Sequence, residues 1–407
     1  MRKSAPLLIA GSALLGSAQA GQANDFSQLE RGRYLTQAGN CQGCHTPPGE
    51  EPFAGSRALE TPFGLIYTPN ITFDTETGLG RWTKDDFWRA MHEGKAKDGS
   101  QLYPAFPYPH FTKMPREDVD AIYDYLATLD PVRKKKPENE LPFPLSWRTT
   151  VKGWNMTFFE PGVFRPDPAK SQEWNRGAYL VEGPGHCSGC HTEKNLLGAD
   201  KKSRHLAGGK LENWAAPDIR GGRHGGLEAW SKAAIVEFLQ TGRNAHSAAF
   251  SIMSEVISYS TQHMTETDLA AIATYLKDLD GEERAAPATP DDAVMKAGAA
   301  IYFDNCSACH VSDGSGVPRF FPPLSGSGNV NNPDATTVIR VILEGARAVP
   351  TKRHPSPLTM PAFGWKLDDD GIAAVATYVR SSWGNSGGAV EADEVRDLRS
   401  LLAGGPP

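Results

Sequence analysis

Three stretches of the chain repeat one amphipathic pattern. Val119, Ile122, Tyr123 and Leu126 follow i, i+3, i+4, i+7 spacing. Leu269, Ile272, Ala273 and Leu276 do the same, as do Ile372, Val375, Ala376 and Val379. Each series predicts a helix with one apolar face turned to a core. Acidic residues open all three helices: Glu117 and Asp118, Glu266 and Asp268, and Asp368 to Asp370. They suit the positive end of the helix dipole. A tyrosine recurs in each, at Tyr125, Tyr275 and Tyr378.

A second kind of helix lies upstream of each of these. Leu29-Glu30-Arg31-Gly32-Arg33-Tyr34-Leu35, Trp174-Asn175-Arg176-Gly177-Ala178-Tyr179-Leu180 and Ala297-Gly298-Ala299-Ala300-Ile301-Tyr302 each combine a glycine with an aromatic. Glycine inside a helix costs about 1 kcal/mol relative to alanine, so its recurrence asks for a reason. Close approach of the downstream helix supplies one. The pattern predicts Tyr125 near Gly32, Tyr275 near Gly177 and Tyr378 near Gly298.

Proline- and glycine-rich loops separate the paired helices. They predict wrapping segments rather than sheet. The expected fold class is therefore all-α, with three tandem units over residues 26–130, 172–281 and 291–385. A Pro-rich linker at 131–171 joins the first two. It carries Lys134-Lys135-Lys136, which reads as a solvated loop, and Trp147, Trp154, Phe158 and Phe159, which suggest packing onto the units. A shorter linker spans 282–290. A tail over 386–407 holds a short helix from Glu391 to Leu402, with Val395, Leu398 and Leu402 on one face. That face is free to dock on a partner or to fold back on the body.

The first twenty residues read as a signal peptide. Arg2 and Lys3 precede a small, apolar run from Pro6 to Ala18, and Ala18-Gln19-Ala20 is a small-x-small cleavage site. The mature chain is expected to start at Gly21, exported to the periplasm. No other stretch is apolar and long enough to span a bilayer. The formal net charge of −6 gives no electrostatic footprint for nucleic acid.

All six cysteines fall in three copies of one pentapeptide: Cys41-Gln42-Gly43-Cys44-His45, Cys187-Ser188-Gly189-Cys190-His191 and Cys306-Ser307-Ala308-Cys309-His310. Cys-x-x-Cys-His is the attachment signal for c-type haem. Two thiols on one short turn reach the two vinyl groups of a single haem. The following imidazole is then held beside the iron as proximal ligand. A redox disulfide or a zinc site also uses Cys-x-x-Cys, but neither needs histidine directly after it. Zinc would also pair two motifs and leave the third alone. Three covalent haem c groups are expected, with His45, His191 and His310 as proximal ligands. Pro69-Asn70-Ile71, Pro217-Asp218-Ile219 and Pro323-Leu324 recur downstream, and a proline carbonyl in each is expected to accept the histidine ring N–H.

The sixth iron ligand sorts the methionines. Met360, in Leu358-Thr359-Met360-Pro361, lies in a loop eighteen residues before Tyr378. Met253 lies twenty-two residues before Tyr275, whereas Met264 sits at the helix start and reads as packing. These two are the expected distal ligands of the third and second haems. For the first haem the corresponding position is Phe106, which cannot ligate iron. Met114, which aligns with Met264, is the leading candidate there. Met91, His92 and His110 are alternatives, and an open or water-bound first haem is another.

Together these residues make the chain similar to the triple-haem cytochrome c subunits of membrane-associated bacterial dehydrogenases, the alcohol, gluconate, sorbitol and fructose dehydrogenase type. The resemblance rests on the three haem motifs, Pro69-Asn70-Ile71-Thr72, Leu102-Tyr103-Pro104-Ala105, Trp174 to Leu180, and the tail from Gly387 to Arg399. Several members place methionine where this chain has Phe106. The resemblance implies class-I-like cytochrome c domains. It also implies an electron-transfer subunit, peripheral on the outer face of the cytoplasmic membrane. Electrons would come from a flavin or quinoprotein dehydrogenase subunit and go to ubiquinone or another respiratory acceptor. The chain itself has no Gly-x-Gly-x-x-Gly fingerprint and no Ser/His/Asp arrangement in recognisable context, which places substrate chemistry elsewhere. Two other readings stand beside this one. One is a haem enzyme, a peroxidase or sulfur-compound dehydrogenase working at an open first haem. The other is a free-standing electron shuttle.

Overall fold

The computed structural model describes residues 16–348 and 350–404. The signal-peptide reading over residues 1–20 falls mostly outside them. Three pairs of long helices dominate. The leading helices are Gly16–Ala38, Gln172–Glu182 and Asp292–Asn305, and the closing helices are Arg116–Leu126, Glu266–Lys277 and Asp369–Ser381.

Each leading helix crosses its closing helix at the glycine. A Cβ added to Gly32 would lie 1.9 Å from the Ala121 carbonyl oxygen and 2.9 Å from Tyr125 Cβ. At Gly177 it would meet Ala271 O at 1.9 Å and Tyr275 Cβ at 3.0 Å, and at Gly298 Ala374 O at 2.2 Å and Tyr378 Cβ at 2.7 Å. The three glycine–tyrosine contacts are those that the sequence pattern predicts. Two closing helices begin with side-chain caps. Thr265 accepts from Asp268 N, and Asp368 from Gly371 N. Such caps satisfy amides that a helix start leaves free.

The first two units share one apolar core, to which Leu35, Phe111, Ile122, Leu180, Leu269 and Leu276 all contribute. The third has its own, built on Tyr302, Ile339, Ile372 and Val375. A reciprocal lock closes the shared core. Arg31 pairs with Asp118 within the first unit, and Arg176 with Asp268 within the second. Tyr34 donates across to Asp268 at 2.6 Å, and Tyr179 donates back to Asp118. Burial alone pushes the Asp268 carboxyl up, but hydrogen bonds from Arg176 and Tyr34 outweigh it and hold it below its ordinary value. Asp268 sits in the first turn of its closing helix, where the dipole adds to the same effect, and Asp118 holds the matching place in the first unit.

Three two-stranded antiparallel hairpins depart from the all-α expectation. They are Ala58–Thr61 with Gly64–Tyr67, Gly209–Leu211 with Trp214–Ala216, and Ala346–Arg347 with Thr359–Met360. The second turns on Glu212 and Asn213, at φ 47° and 58°. Two positive φ values in succession match the twist of a tight hairpin, which is why so short a pair closes. Beside this hairpin, Thr337 of the third unit exchanges hydrogen bonds of 2.9 Å with Ala215 N and O, and Arg340 lies 4.1 Å over the Trp214 ring.

The linker is ordered around a helix, Thr150–Phe158. Asn155 fastens it to Tyr108 and Gln101 of the first unit. The tail helix, Ala392–Ala403, folds back on the body rather than standing free. Val395 and Leu398 enter the third core, and Arg399 binds Asp369 at 2.8 Å and Gly364 O at 2.7 Å.

Gly177→Ala is expected to lower stability by about 1–3 kcal/mol, because the added methyl overlaps a backbone carbonyl that cannot retreat. Gly153→Ala, in the linker helix with open space around it, is expected to raise stability by about 0.5–1 kcal/mol. Thermal unfolding of the two variants checks both signs.

Candidate haem sites

Each pentapeptide forms a single helical turn directly after a leading helix. The turns are Cys41–His45, Ser188–His191 and Ser307–His310. The six thiols carry no disulfide. Burial pushes the Cys41 and Cys187 thiols up to about 12, and Cys190 and Cys306 to about 11. The thiols that burial raises are therefore protonated, and Cys309 of the third pair is exposed.

The three histidines are held alike. His45 Nδ1 lies 2.7 Å from Pro69 O, His191 Nδ1 2.8 Å from Pro217 O, and His310 Nδ1 3.1 Å from Pro322 O. The third acceptor is one residue before the expected Pro323. The reason is loop length. The ring and its acceptor are 24 and 26 residues apart in the first two units, where a hairpin intervenes, and 12 apart in the third. Donation from Nδ1 fixes the tautomer and leaves Nε2 as the free lone pair for a metal. Burial lowers the basicity of all three rings, and His45 falls to about 4. The imidazoles are neutral at physiological pH, as a ligand must be.

A second repeated device is absent from the sequence reading. The histidine carbonyls accept from Gly55 N at 2.8 Å, Gly208 N at 2.9 Å and Gly316 N at 3.1 Å. All three glycines have positive φ, at 72°, 99° and 62°. A Cβ on Gly55 would lie 2.4 Å from Pro69 C, and one on Gly316 2.8 Å from Pro322 C. Glycine thus lets the loop fold tightly enough for the proline carbonyl to reach the ring. These glycines follow their histidines at irregular intervals, so spacing gives no signal. In the first two units the threonine after the histidine joins in. Thr46 Oγ1 accepts from Phe53 N at 3.0 Å, and Thr192 Oγ1 from Leu206 N at 2.9 Å.

The candidate distal residues occupy different settings. Met253 is half-buried in the helix Ser251–Tyr259, and Met360 is half-buried in the second strand of the third hairpin. Met114 is fully buried just before a closing helix, and Met264 is buried at the matching place in the second unit. Phe106 packs on Phe111, with ring centroids 5.5 Å apart. Met91 is in the core, and His92 stacks on Trp88 at 4.3 Å. His110 faces Asp200 of the second unit at 3.6 Å, and burial lowers its basicity to about 4.

The first two motifs are neighbours. The helix Ser251–Tyr259 packs on the first motif turn. Arg57 donates to Gly43 O at 2.5 Å and to Glu255 of that helix at 2.6 Å. His186, just before Cys187, reaches Gly39 O at 3.3 Å. Cys44 lies near enough to Cys190 to push its thiol up electrostatically. The third motif stands apart, with Cys309 exposed.

The family model described as cytochrome c matches residues 29–130, 175–280 and 295–383. The chain belongs to the cytochrome c family. Cytochrome c domains hold haem c covalently, and the unbonded thiol pairs with their fixed imidazoles fit that group. Relatives cover nearly the whole chain. The cytochrome c subunit of gluconate 2-dehydrogenase from Pantoea cypripedii is 39% identical over 98% of this chain and 95% of its own length. The cytochrome c subunit of a quinone-type alcohol dehydrogenase from Gluconobacter oxydans is 38% identical over 95% of this chain and 85% of its own. The fructose dehydrogenase cytochrome subunit of Gluconobacter japonicus is 35% identical over 91% and 82%. The match to cytochrome c dehydrogenase subunits is the one that the motifs and their order imply.

Gly55→Ala is expected to cost about 1–3 kcal/mol more than Gly49→Ala, which has the same φ sign but open space around it. The difference, read by thermal unfolding, isolates the clash with Pro69 from the shared backbone strain. A perturbed absorption spectrum of the first haem alone is the expected companion in Gly55→Ala.

Proposed function

We propose that the protein is a three-haem electron-transfer subunit built of class-I-like domains. Cys41 and Cys44 hold the first haem with His45, Cys187 and Cys190 the second with His191, and Cys306 and Cys309 the third with His310. Met253 and Met360 are the sixth ligands of the second and third haems, and Met114 that of the first. Bound haem supplies one-electron chemistry between ferric and ferrous iron. The chain's residues do the rest. The thiols anchor, the Nε2 lone pairs ligate, and the proline carbonyls orient the rings and raise their donor strength.

One observation carries the reading. A proline carbonyl fixes a neutral histidine beside an unbonded cysteine pair, three times over, in a chain collinear with the cytochrome c subunits of gluconate, alcohol and fructose dehydrogenases. On this reading electrons enter from a flavin or quinoprotein dehydrogenase subunit. They leave to ubiquinone or another respiratory acceptor, with the protein exported to the periplasm and peripheral on the membrane's outer face. A second reading concerns the first site alone. Met114 occupies the place of Met264, a core residue, and this favours an open sixth position that admits a small molecule.

The pyridine haemochrome of the purified chain is expected to return three haems per chain. Met360→Ala is expected to remove one methionine–iron charge-transfer contribution and to lower one reduction potential. Met114→Ala is expected to do the same at the first haem, and an unchanged spectrum there assigns that site to the second reading. Rapid reduction by a partner dehydrogenase with its substrate, without peroxide turnover, is the functional check.

A further inference from the structure

Behind each proximal histidine stands the residue that follows its proline. In the first two units that residue does the same backbone work. Asn70 Oδ1 accepts from Thr72 N at 2.9 Å, and Asp218 Oδ1 accepts from Arg220 N at 2.9 Å. Both side chains are buried. Their remaining polar atoms differ. Asn70 Nδ2 donates to Val132 O at 2.7 Å and to Thr77 Oγ1 at 3.0 Å, which leaves the position neutral and satisfied. Asp218 Oδ2 instead accepts from Arg220 Nη2 at 2.7 Å, and Arg284 Nη2 of the short linker lies 3.6 Å away. In the third unit the acceptor Pro322 is followed by Pro323, which has no polar side chain.

The second unit therefore buries a charge where the first makes the same turn without one. A buried ion pair is weak support for a fold, because desolvation offsets most of the attraction. An amide suffices for the turn, as Asn70 shows. The charge needs another reason, and its neighbour supplies one. Pro217, directly before Asp218, gives its carbonyl to the His191 ring at 2.8 Å. Burial lowers the basicity of that ring most; against it, the Pro217 carbonyl and then the Asp218 carboxylate act to raise it. On the His45 and His310 rings only burial and the proline carbonyl act. The ion pair is thus oriented, with its carboxylate rather than its guanidinium acting on the ring.

A negative charge behind an imidazole strengthens it as a donor and favours ferric iron over ferrous. We propose that Asp218 is a positioning residue for the second haem: through Pro217 and His191 it holds that haem at a lower reduction potential than the ligands alone would set. Arg220 is the counter-charge that limits the effect. The first and second motifs are neighbours and share the proline device, so the charge behind one of them sets two otherwise similar haems apart in potential. The inference deepens the proposed function and rests on it, since it needs a haem on Cys187, Cys190 and His191.

Spectroelectrochemical titration of the purified three-haem chain tests it. Asp218→Asn keeps an acceptor for Arg220 N and removes the charge. One of the three reduction steps is expected to gain about ten-fold in its equilibrium constant, a rise of about 59 mV for one electron, with the absorption bands of ligated haem unchanged. Arg220→Gln is expected to lower the same step, because the carboxylate loses its nearest counter-charge. The opposite signs separate charge from a merely structural role, since a site loosened or opened to water moves the same way in both variants. An unmoved step in Asp218→Asn, a fall in it, or shifts of one sign in both variants overturn the proposal. Should Asp218→Asn fail to load its haem, Asp218→Asn/Arg220→Gln decides, because it leaves no guanidinium buried beside an amide. A rise in one step of that double variant supports the proposal, and no rise rejects it. The pyridine haemochrome of the unaltered chain keeps the two readings apart. Three haems with steps that these variants do not move reject the role of Asp218 alone. Fewer than three reject the three-haem reading and this inference with it.

Discussion

The close crossing of two helices at a glycine governs every unit of this chain. With no Cβ in the way, the leading helix rests directly on a backbone carbonyl of the closing helix, at Ala121, Ala271 or Ala374. That contact sets the angle at which the leading helix ends, and the cysteine pair follows within a few residues. The intrinsic helix penalty of glycine is outweighed by the apolar area that the close approach buries. Tyrosine beside each crossing fills the space that a wider separation would leave empty.

The proximal histidines show how a fixed chemical requirement tolerates a variable scaffold. The ring needs an acceptor, and a backbone carbonyl provides one whatever the side chain around it. The loop supplying that carbonyl is about half as long in the third unit as in the other two, yet the bond forms in all three. Glycine at positive φ makes the reach possible each time, from a different distance along the chain. Conformation is repeated here, and sequence spacing is not.

This explains what was legible beforehand. The long helices carried a clear period, and the glycine–tyrosine contacts were legible because a costly residue recurred beside a bulky one. Cys41 to His45 and its two copies were legible because their chemistry demands a fixed spacing. The hairpins were hidden, since Glu212-Asn213 adopts a tight turn without the usual glycine. The helix Thr150–Phe158 was hidden by Gly153, β-branched neighbours and the lack of a side-chain cap. Asp118 and Asp268 were legible as dipole partners. Their second role, receiving a tyrosine from the other unit, depends on contacts between residues 61 and 234 positions apart, which no local pattern reports. The tail's apolar face was visible in Val395 and Leu398, but its destination was set by a distant core.

The reciprocal lock also imposes an order in time. Tyr34 finds Asp268 only after 234 further residues have been made, and until then half of the shared core has nothing to pack against. Domains tend to complete themselves in the order of synthesis, but here the first must wait for the second. The earliest cysteines therefore stay uncovered while the chain is still growing. Any catalyst that must reach them gains an interval, which ends when the second unit arrives and the two units shut together.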